Sequence, residues 1–220
     1  MENYYIIKFM NFYGIRTTNK WKDYWINRKL DWVKAYQNWE HPHRYLISAV
    51  LKQMPWVSLF EVGCGAGANL INIIKNIPNK QVGGADINPD AIALAEKTLI
   101  GGIFKVNSGD NLMLSDKSTD VILTDMALIY VGPMKIDSYI KEIRRVARKY
   151  VVLCEFNSES FWKRLWLKIT TGYNAYDYTK LLLSHGFYGI ISHKIREEEW
   201  PGGNPQKNYG YLIVAKVPQR

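Results

Sequence analysis

The sequence of 220 residues has few cysteines and no long apolar run, and each shortage excludes a class of protein. Its two cysteines, Cys64 and Cys154, are too few for a disulfide framework, so we expect reduced thiols in a cytoplasmic protein. No run of about 18 apolar residues occurs, which predicts no transmembrane segment, and residues 1–19 do not resemble a secretion signal. Because His, Cys and carboxylate residues show no metal-ligand spacing, we predict no metal site.

A glycine-rich turn follows the first largely apolar segment, residues 57–60. Residues 61–69 read Glu-Val-Gly-Cys-Gly-Ala-Gly-Ala-Asn, and an amphipathic segment then begins. This order predicts a strand, a tight turn and a helix. Glycines allow positive φ and a close approach of ligand to backbone, and the helix start offers unpaired N–H groups. The turn therefore predicts a pocket for a nucleotide-type cofactor.

An acidic residue ends the predicted second strand, residues 81–86. Asp86 lies 19 positions after Gly67, and a carboxylate there can accept hydrogen bonds from both hydroxyls of a ribose. The alternative is a helix cap. Since Asn88, Pro89 and Asp90 already supply a capping side chain, a first-turn proline and an acid matched to the helix dipole, we favour ligand binding for Asp86.

Strands and helices alternate along most of the chain. Strands are predicted near 57–62, 81–86, 103–107, 120–124, 150–154, 187–195 and 209–217, and helices near 21–38, 42–54, 68–77, 89–100, 134–148 and 173–185. This order predicts an α/β protein with a doubly wound, mostly parallel seven-stranded sheet and an antiparallel C-terminal hairpin. Residues 1–55 are predicted to be a helical N-terminal extension and substrate lid, and residues 56–220 the cofactor-binding domain.

Three segments resemble the motifs of one family, the class I S-adenosylmethionine-dependent methyltransferases, and especially their small type 11-like members. Glu61 stands two residues before a G-x-G-x-G turn, residues 85–89 resemble the ribose-binding strand end, and residues 109–111 with 120–125 resemble the adenine loop and fourth strand. The likeness covers roughly residues 57–156. It implies a Rossmann-like methyltransferase fold and S-adenosyl-L-methionine as cofactor. The glycine spacing differs from the G-x-G-x-x-G of nicotinamide-dependent oxidoreductases, which argues against that class.

The resemblance also implies which residues bind the cofactor. The glycine turn, positioned by Glu61, would carry the methionine part, and Asp86 would bind the ribose. Ile87 would pack on the adenine, whose amine would donate to Asp110 beside the Asn111 backbone. The complete implied set is Glu61, Gly63, Cys64, Gly65, Gly67, Asn69, Asp86, Ile87, Asp110, Asn111 and Asp125. Core packing for Ile87 and a turn role for Asp110 remain alternatives.

The reaction needs a base if the methyl acceptor is a hydroxyl or a protonated amine. Two histidines in Glu-His-Pro-His-Arg, residues 40–44, enter the pocket region from the extension, and imidazole suits this role. The candidate catalytic residues are His41, His43, Asp125 and Tyr130. The alternative for the histidines is that His41 caps a helix and His43 is partly buried.

Two missing motifs narrow the acceptor. Residues 124–128 lack the Asp/Asn-Pro-Pro-aromatic tetrapeptide with which methyltransferases of adenine or glutamine amino groups hold a planar NH₂. There is also no Pro-Cys pair for covalent attack on a pyrimidine. We therefore expect direct methyl transfer to an O or N of a small or conjugated metabolite.

The whole chain has a net charge of +9, and its basic residues and tryptophans are concentrated in the flanks, outside residues 61–140. Lys and Arg number 9 against 4 acids in residues 1–60, 6 against 9 in residues 61–140, and 14 against 7 in residues 141–220. All eight tryptophans lie outside residues 61–140. These flanks favour an anionic substrate and leave nucleic acid, hence an RNA methyltransferase, as an alternative. An inactive cofactor-binding partner subunit is a further alternative, and the sequence does not indicate the oligomeric state.

Overall fold

The computed structural model describes residues 20–218, and at its centre lies a seven-stranded sheet with the order β3-β2-β1-β4-β5-β7-β6. The strands are β1 Ser58–Val62, β2 Gln81–Asp86, β3 Ile103–Val106, β4 Thr119–Asp125, β5 Ala147–Phe156, β6 Tyr188–Lys194 and β7 Gly210–Lys216. Strands β1 to β5 run parallel, and β7 is antiparallel to both of its neighbours. The predicted fold class, including the C-terminal hairpin, is confirmed.

Helices cover both faces of the sheet. Their bounds are α1 Lys20–Ile26, α2 Trp32–Tyr36, α3 Pro42–Lys52, α4 Ala68–Asn76, α5 Pro89–Thr98, α6 Ile136–Val146, α7 Phe161–Thr171, α8 Tyr178–Ser184 and α9 Gln206–Tyr209. Side chains of a strand alternate between faces, so Ile122 of β4 packs in the cluster that contains Ile140 of α6. Its neighbour Leu123 packs in the opposite cluster, with Leu51 of α3 and Leu70 of α4.

The predicted helix 21–38 is wrong, because the structure has two short helices there. The side chain of Asn88, which lies just before α5, donates to the backbone carbonyls of Trp25 and Arg28 at 2.7 and 3.0 Å. A continuous helix would need those carbonyls for its own ladder. Asp31 then starts α2 by accepting from the backbone N–H of Lys34.

The predicted helix 173–185 is also partly wrong. Asn174 donates its backbone N–H to the carbonyl of Ile129, and Tyr176 forms an isolated bridge with Asn157, so this stretch is extended. The helix α8 begins only after Asp177, whose side chain accepts from the N–H of Lys180.

Parallel pairing places the carboxyl ends of β1, β2 and β4 at one edge of the sheet. The glycine turn follows β1, Asp86 ends β2 and Asp125 ends β4. Residues predicted to act together therefore meet at this edge. Within residues 20–218, the structure has no helix that is both long and apolar enough to span a membrane.

Candidate functional site

The glycine turn exposes bare backbone at the sheet edge. Gly63, Gly65 and Gly67 have φ of +76°, +50° and +83°, a region that favours glycine. A Cβ at Gly63 would lie 2.4 Å from the Cβ of Ala127, so this position has no room for a side chain. A Cβ at Gly65 would meet no protein atom within 4 Å, so a ligand can approach the backbone there.

Asp86 connects the end of β2 to the glycine turn. Its Oδ2 accepts from the backbone N–H of Gly65, and its Oδ1 accepts from that of Asn88, both at 2.9 Å. Burial raises the pKa of the Asp86 carboxyl. Ile87 follows it and is half-buried. Cys64 is buried against β2, where a Cβ at Gly84 would lie 2.6 Å from the Cys64 side chain.

The loop after β3 contributes Asp110 and Asn111. Asp110 accepts a hydrogen bond from the Ser108 hydroxyl, whose oxygen lies 2.9 Å from that of Tyr139. Asp110 is half-buried and Asn111 is exposed. The backbone N–H of Asn111 donates to the Ser108 carbonyl in a tight turn. This turn is compatible both with adenine binding by Asp110 and with a purely structural role for Asp110 in the turn.

The buried amide of Asn69 joins two carboxylates that end different strands. Its Nδ2 donates to Oε1 of Glu61 at 2.5 Å and to Oδ2 of Asp125 at 2.9 Å. Its Oδ1 accepts from the guanidinium of Arg44, which also lies 3.3 Å from Oδ2 of Asp125. Burial raises the pKa of Glu61 to about 8, and its Oε2 has no hydrogen-bond partner within residues 20–218.

Two histidines complete this network from the start of α3. Nε2 of His43 lies 2.9 Å from Oδ2 of Asp125, and Nδ1 of His43 lies 2.5 Å from Nδ1 of His41. His43 is only 2% exposed, whereas His41 is half-buried. The indole of Trp200, from the connection between β6 and β7, stacks on the His43 ring with centroids 3.9 Å apart. His41 is the N-cap residue of α3, as the alternative expected, but its side chain makes no capping hydrogen bond to the helix.

The charges in the network separate the pKa values of its members. Burial alone would raise the pKa of Asp125, but His43 and Arg44 outweigh it and hold that pKa below its usual range. Burial, together with His43 and Arg44, lowers the pKa of His41 to about 4. At neutral pH, Asp125 is therefore an anion and His41 a neutral imidazole.

Tyr130 lies in an aromatic cluster and has no hydrogen bond to the histidines. Its ring contacts Trp21, Trp25 and Tyr173 with centroid distances of 5.1 to 5.6 Å. Burial, and then the neighbouring Tyr173, raises the pKa of its phenol. At neutral pH, the phenol of Tyr130 therefore stays protonated and can donate a hydrogen bond.

The first helix and the residue after the second helix contact two other segments of the chain, the residue that follows α7 and the glycine turn. Gln37, just after α2, donates to the carbonyl of Ala66 in the glycine turn at 3.1 Å. The indole of Trp21 in α1 donates to the carbonyl of Gly172, just after α7, at 3.2 Å. These contacts favour the predicted lid, which stays a prediction. Within residues 20–218, no group of three His, Cys, Asp or Glu side chains could hold a metal ion.

Sequence reasoning did not identify two members of the network, Arg44 and Trp200. Arg44 adjoins the two candidate histidines in sequence, and helical spacing from His41 could have placed it on the same side of α3. Trp200 lies in a turn-rich connection that gives no local signal of what it contacts.

Known proteins share both this domain and this fold. A family model described as a methyltransferase domain matches residues 59–150. No curated protein matches the chain. Magnesium protoporphyrin IX methyltransferase from Synechocystis PCC 6803, solved with bound S-adenosylmethionine, is 16% identical with a TM-score of 0.59, covering 99% of this chain and 98% of that one.

Two further solved structures show how broadly the fold is used. An S-adenosylmethionine-dependent methyltransferase from Thermotoga maritima is 19% identical with a TM-score of 0.61, covering 85% of this chain and 97% of that one. The [4+2]-cyclase SpnF is 18% identical with a TM-score of 0.60, covering 80% and 81%. Such identities show the fold alone. The match to the family model and this shared fold confirm the resemblance that the sequence indicated.

Proposed function

We propose that this chain, a class I S-adenosylmethionine-dependent methyltransferase, transfers the methyl group to an O or N atom of a small or conjugated metabolite. One observation carries the proposal: an imidazole pair and a buried carboxylate lie in one hydrogen-bonded network with Glu61, two residues before the glycine turn. These are the groups that an acceptor with an exchangeable proton requires.

The residues at the sheet edge fit the cofactor. Gly63, Gly65 and Gly67 would pass its methionine part over open backbone, and Asp86 would accept from the ribose hydroxyls. Ile87 would pack on the adenine, with Asp110 and Asn111 at its edge. Glu61 has an unpaired buried oxygen, which suits a water-mediated contact with the methionine amino group. Cys64 and Asn69 would hold the turn from beneath, and Asp125 would line the same pocket.

The bound cofactor supplies an electrophilic methyl group on a sulfonium, and the protein supplies alignment and exclusion of water. The acceptor atom has to lie about 3 Å from the methyl carbon. The aromatic cluster around Tyr130 would cover this region and exclude water. Its rings favour an acceptor with a planar or apolar body.

The RNA alternative is weakened by how the basic residues of α6 and its surroundings are used. Lys141 pairs with Asp137 at 2.7 Å, and Arg148 pairs with the fully buried Asp120 at 2.6 Å. Arg145 takes part in two further ion pairs. Cations already paired with carboxylates bind phosphates less readily. The hydrogen-bonded imidazole pair likewise disfavours the alternative of an inactive partner subunit.

The two cysteines of the chain are free and buried, which agrees with the predicted cytoplasmic location.

The test is methyl transfer by the purified chain. It would be incubated with S-adenosylmethionine that carries a labelled methyl group, and with separate small-metabolite and RNA fractions of a cell extract. We expect label in the small-metabolite fraction, and about tenfold less label from the Asp86→Ala variant when the cofactor is below saturation. Label in the RNA fraction alone would support the RNA alternative, and cofactor binding without any transfer would support an inactive subunit.

A further inference from the structure

The two histidines differ in which of their nitrogens are already engaged. Both ring nitrogens of His43 have partners, Asp125 on Nε2 and His41 on Nδ1, and its side chain is buried. Nδ1 of His41 faces His43, while Nε2 of His41 has no hydrogen-bond partner within residues 20–218. An acceptor could therefore reach His41 without displacing an existing contact, but it could not reach His43 in this way.

With both imidazoles neutral, hydrogen-bond chemistry fixes the direction of the protons along this chain of groups. The Asp125 carboxylate can only accept, so Nε2 of His43 has to donate to it. A neutral imidazole has one N–H, which leaves Nδ1 of His43 as an acceptor, and Nδ1 of His41 has to donate to it. The remaining nitrogen, Nε2 of His41, then carries a free lone pair.

We propose that Nε2 of His41 takes the proton from the methyl acceptor, and that His43 and Asp125 are positioning residues that hold it in the required tautomer. The inference rests on the proposed function. As the bond from the acceptor atom to the methyl carbon forms, the sulfur–methyl bond breaks and its electron pair goes to sulfur. The proton of the acceptor goes to His41, and from this half-buried ring to water. The acceptor class is then a neutral O–H or N–H group, and a carboxylate or a tertiary amine is excluded.

Trp200 is a further positioning residue in this arrangement. Its indole lies nearly parallel to the His43 ring, with 20° between the planes, and its centroid is 5.2 Å from that of His41. A backbone hydrogen bond to the Arg196 carbonyl holds Trp200, and a Cβ at Gly203 would lie 2.4 Å from its ring. Because a ring stacked on another cannot swing freely, Trp200 keeps both nitrogens of His43 aimed at their partners.

The direct test determines the tautomers by ¹⁵N nuclear magnetic resonance of the full chain without cofactor at pH 7.5. The signals are assigned with His41→Gln and His43→Gln. We expect His41 protonated at Nδ1 alone and His43 at Nε2 alone. A proton on Nε2 of His41, or a doubly protonated His43, would overturn the proposal. The experiment needs no methyl transfer, so its outcome is independent of the proposed function.

A second measurement probes access to the lone pair. Diethyl pyrocarbonate modifies unprotonated imidazole nitrogens, and at pH 6 we expect it to modify His41 at least tenfold faster than His43. The charged and titratable groups that face His41 are His43, Arg44 and Asp125. Equal rates at the two histidines would contradict the assignment, as would a rate at His41 that falls with the ordinary titration of a free histidine.

Variants of Trp200 separate ring stacking from simple packing. Trp200→Phe keeps a flat ring and should retain the wild-type tautomers, whereas Trp200→Ala should give a mixture of tautomers at His43. Trp162→Ala is the matched control, because its side chain is 72% exposed and contacts no member of the network. In the label-transfer assay, His41→Gln should lower the rate about 100-fold. Unchanged tautomers in Trp200→Ala would refute the positioning role of Trp200.

Discussion

Asp125 offers two substitutions that separate charge from hydrogen bonding. Its Oδ2 accepts from His43 and Asn69 at 2.9 Å and lies 3.3 Å from the Arg44 guanidinium, and its side chain is 7% exposed. In Asp125→Asn, the amide oxygen can take the place of Oδ2 and keep these contacts with an uncharged acceptor. Each neutral bond is weaker by roughly 1 kcal/mol than its charged counterpart, but removing a buried charge recovers several kcal/mol of desolvation. We therefore expect the free energy of unfolding to change by less than about 2 kcal/mol.

Asp125→Ala should behave differently, because it leaves His43 and Arg44 without their buried acceptor. Breaking a buried ion pair costs about 3–5 kcal/mol, which at roughly 2–4 °C per kcal/mol lowers the melting temperature by at least about 6 °C. Methyl transfer should fall about 100-fold or more in Asp125→Ala, which leaves Nε2 of His43 without an acceptor, and less in Asp125→Asn, whose amide oxygen still holds the tautomer of His43. Calorimetric melting and label transfer measure the two effects. An Asp125→Asn protein as inactive as Asp125→Ala, or an alanine variant as stable as wild type, would refute the reasoning.

Three other predictions follow from the site. Gly63→Ala should lower the melting temperature and abolish cofactor binding, because φ at position 63 is +76° and the added Cβ would lie 2.4 Å from the Cβ of Ala127. Thermal shift with and without S-adenosylhomocysteine measures both effects. A variant that is as stable as wild type and still binds would contradict the geometry. Asp86→Ala should lower the affinity for S-adenosylhomocysteine, measured by titration calorimetry, at least tenfold. An unchanged affinity would rule out the contact between Asp86 and the ribose. Burial raises the pKa values of Glu61 in β1 and Glu155 in β5 from the ordinary value of 4.5 to about 8. Between these two pH values the folded chain therefore binds more protons than the unfolded chain does. The free energy of unfolding should fall as pH rises through that window. Urea melts should show a smaller slope with pH in Glu155→Gln, and equal slopes would contradict this.

The sheet could be predicted because its information is local. Buried strands such as β4 contain short apolar runs, here residues 121–123, and parallel strands must end at a common edge. For the same reason the sequence places Asp86 and Asp125 at one edge before any coordinates are considered.

The remainder depends on contacts between distant parts of the chain. The break between α1 and α2 depends on Asn88, whose side chain donates hydrogen bonds to the carbonyls of Trp25 and Arg28. The periodicity of apolar residues along the helix gives no sign of these contacts. The stacking of Trp200 on His43 depends on how the connection between β6 and β7 folds back over the sheet edge. Tertiary contacts of this kind override local patterns, so the members of the network outside the motifs could not be named from sequence.

The central claim is that the glycine turn after β1 and Asp86 at the end of β2 bind S-adenosylmethionine. The most direct measurement is calorimetric titration of the purified, ligand-free chain with S-adenosylmethionine, S-adenosylhomocysteine and NAD in turn. The account predicts saturable binding of the first two at one site per chain and no binding of NAD. A folded chain that gives no heat with either adenosyl compound at millimolar concentration, or that binds NAD instead, would contradict it.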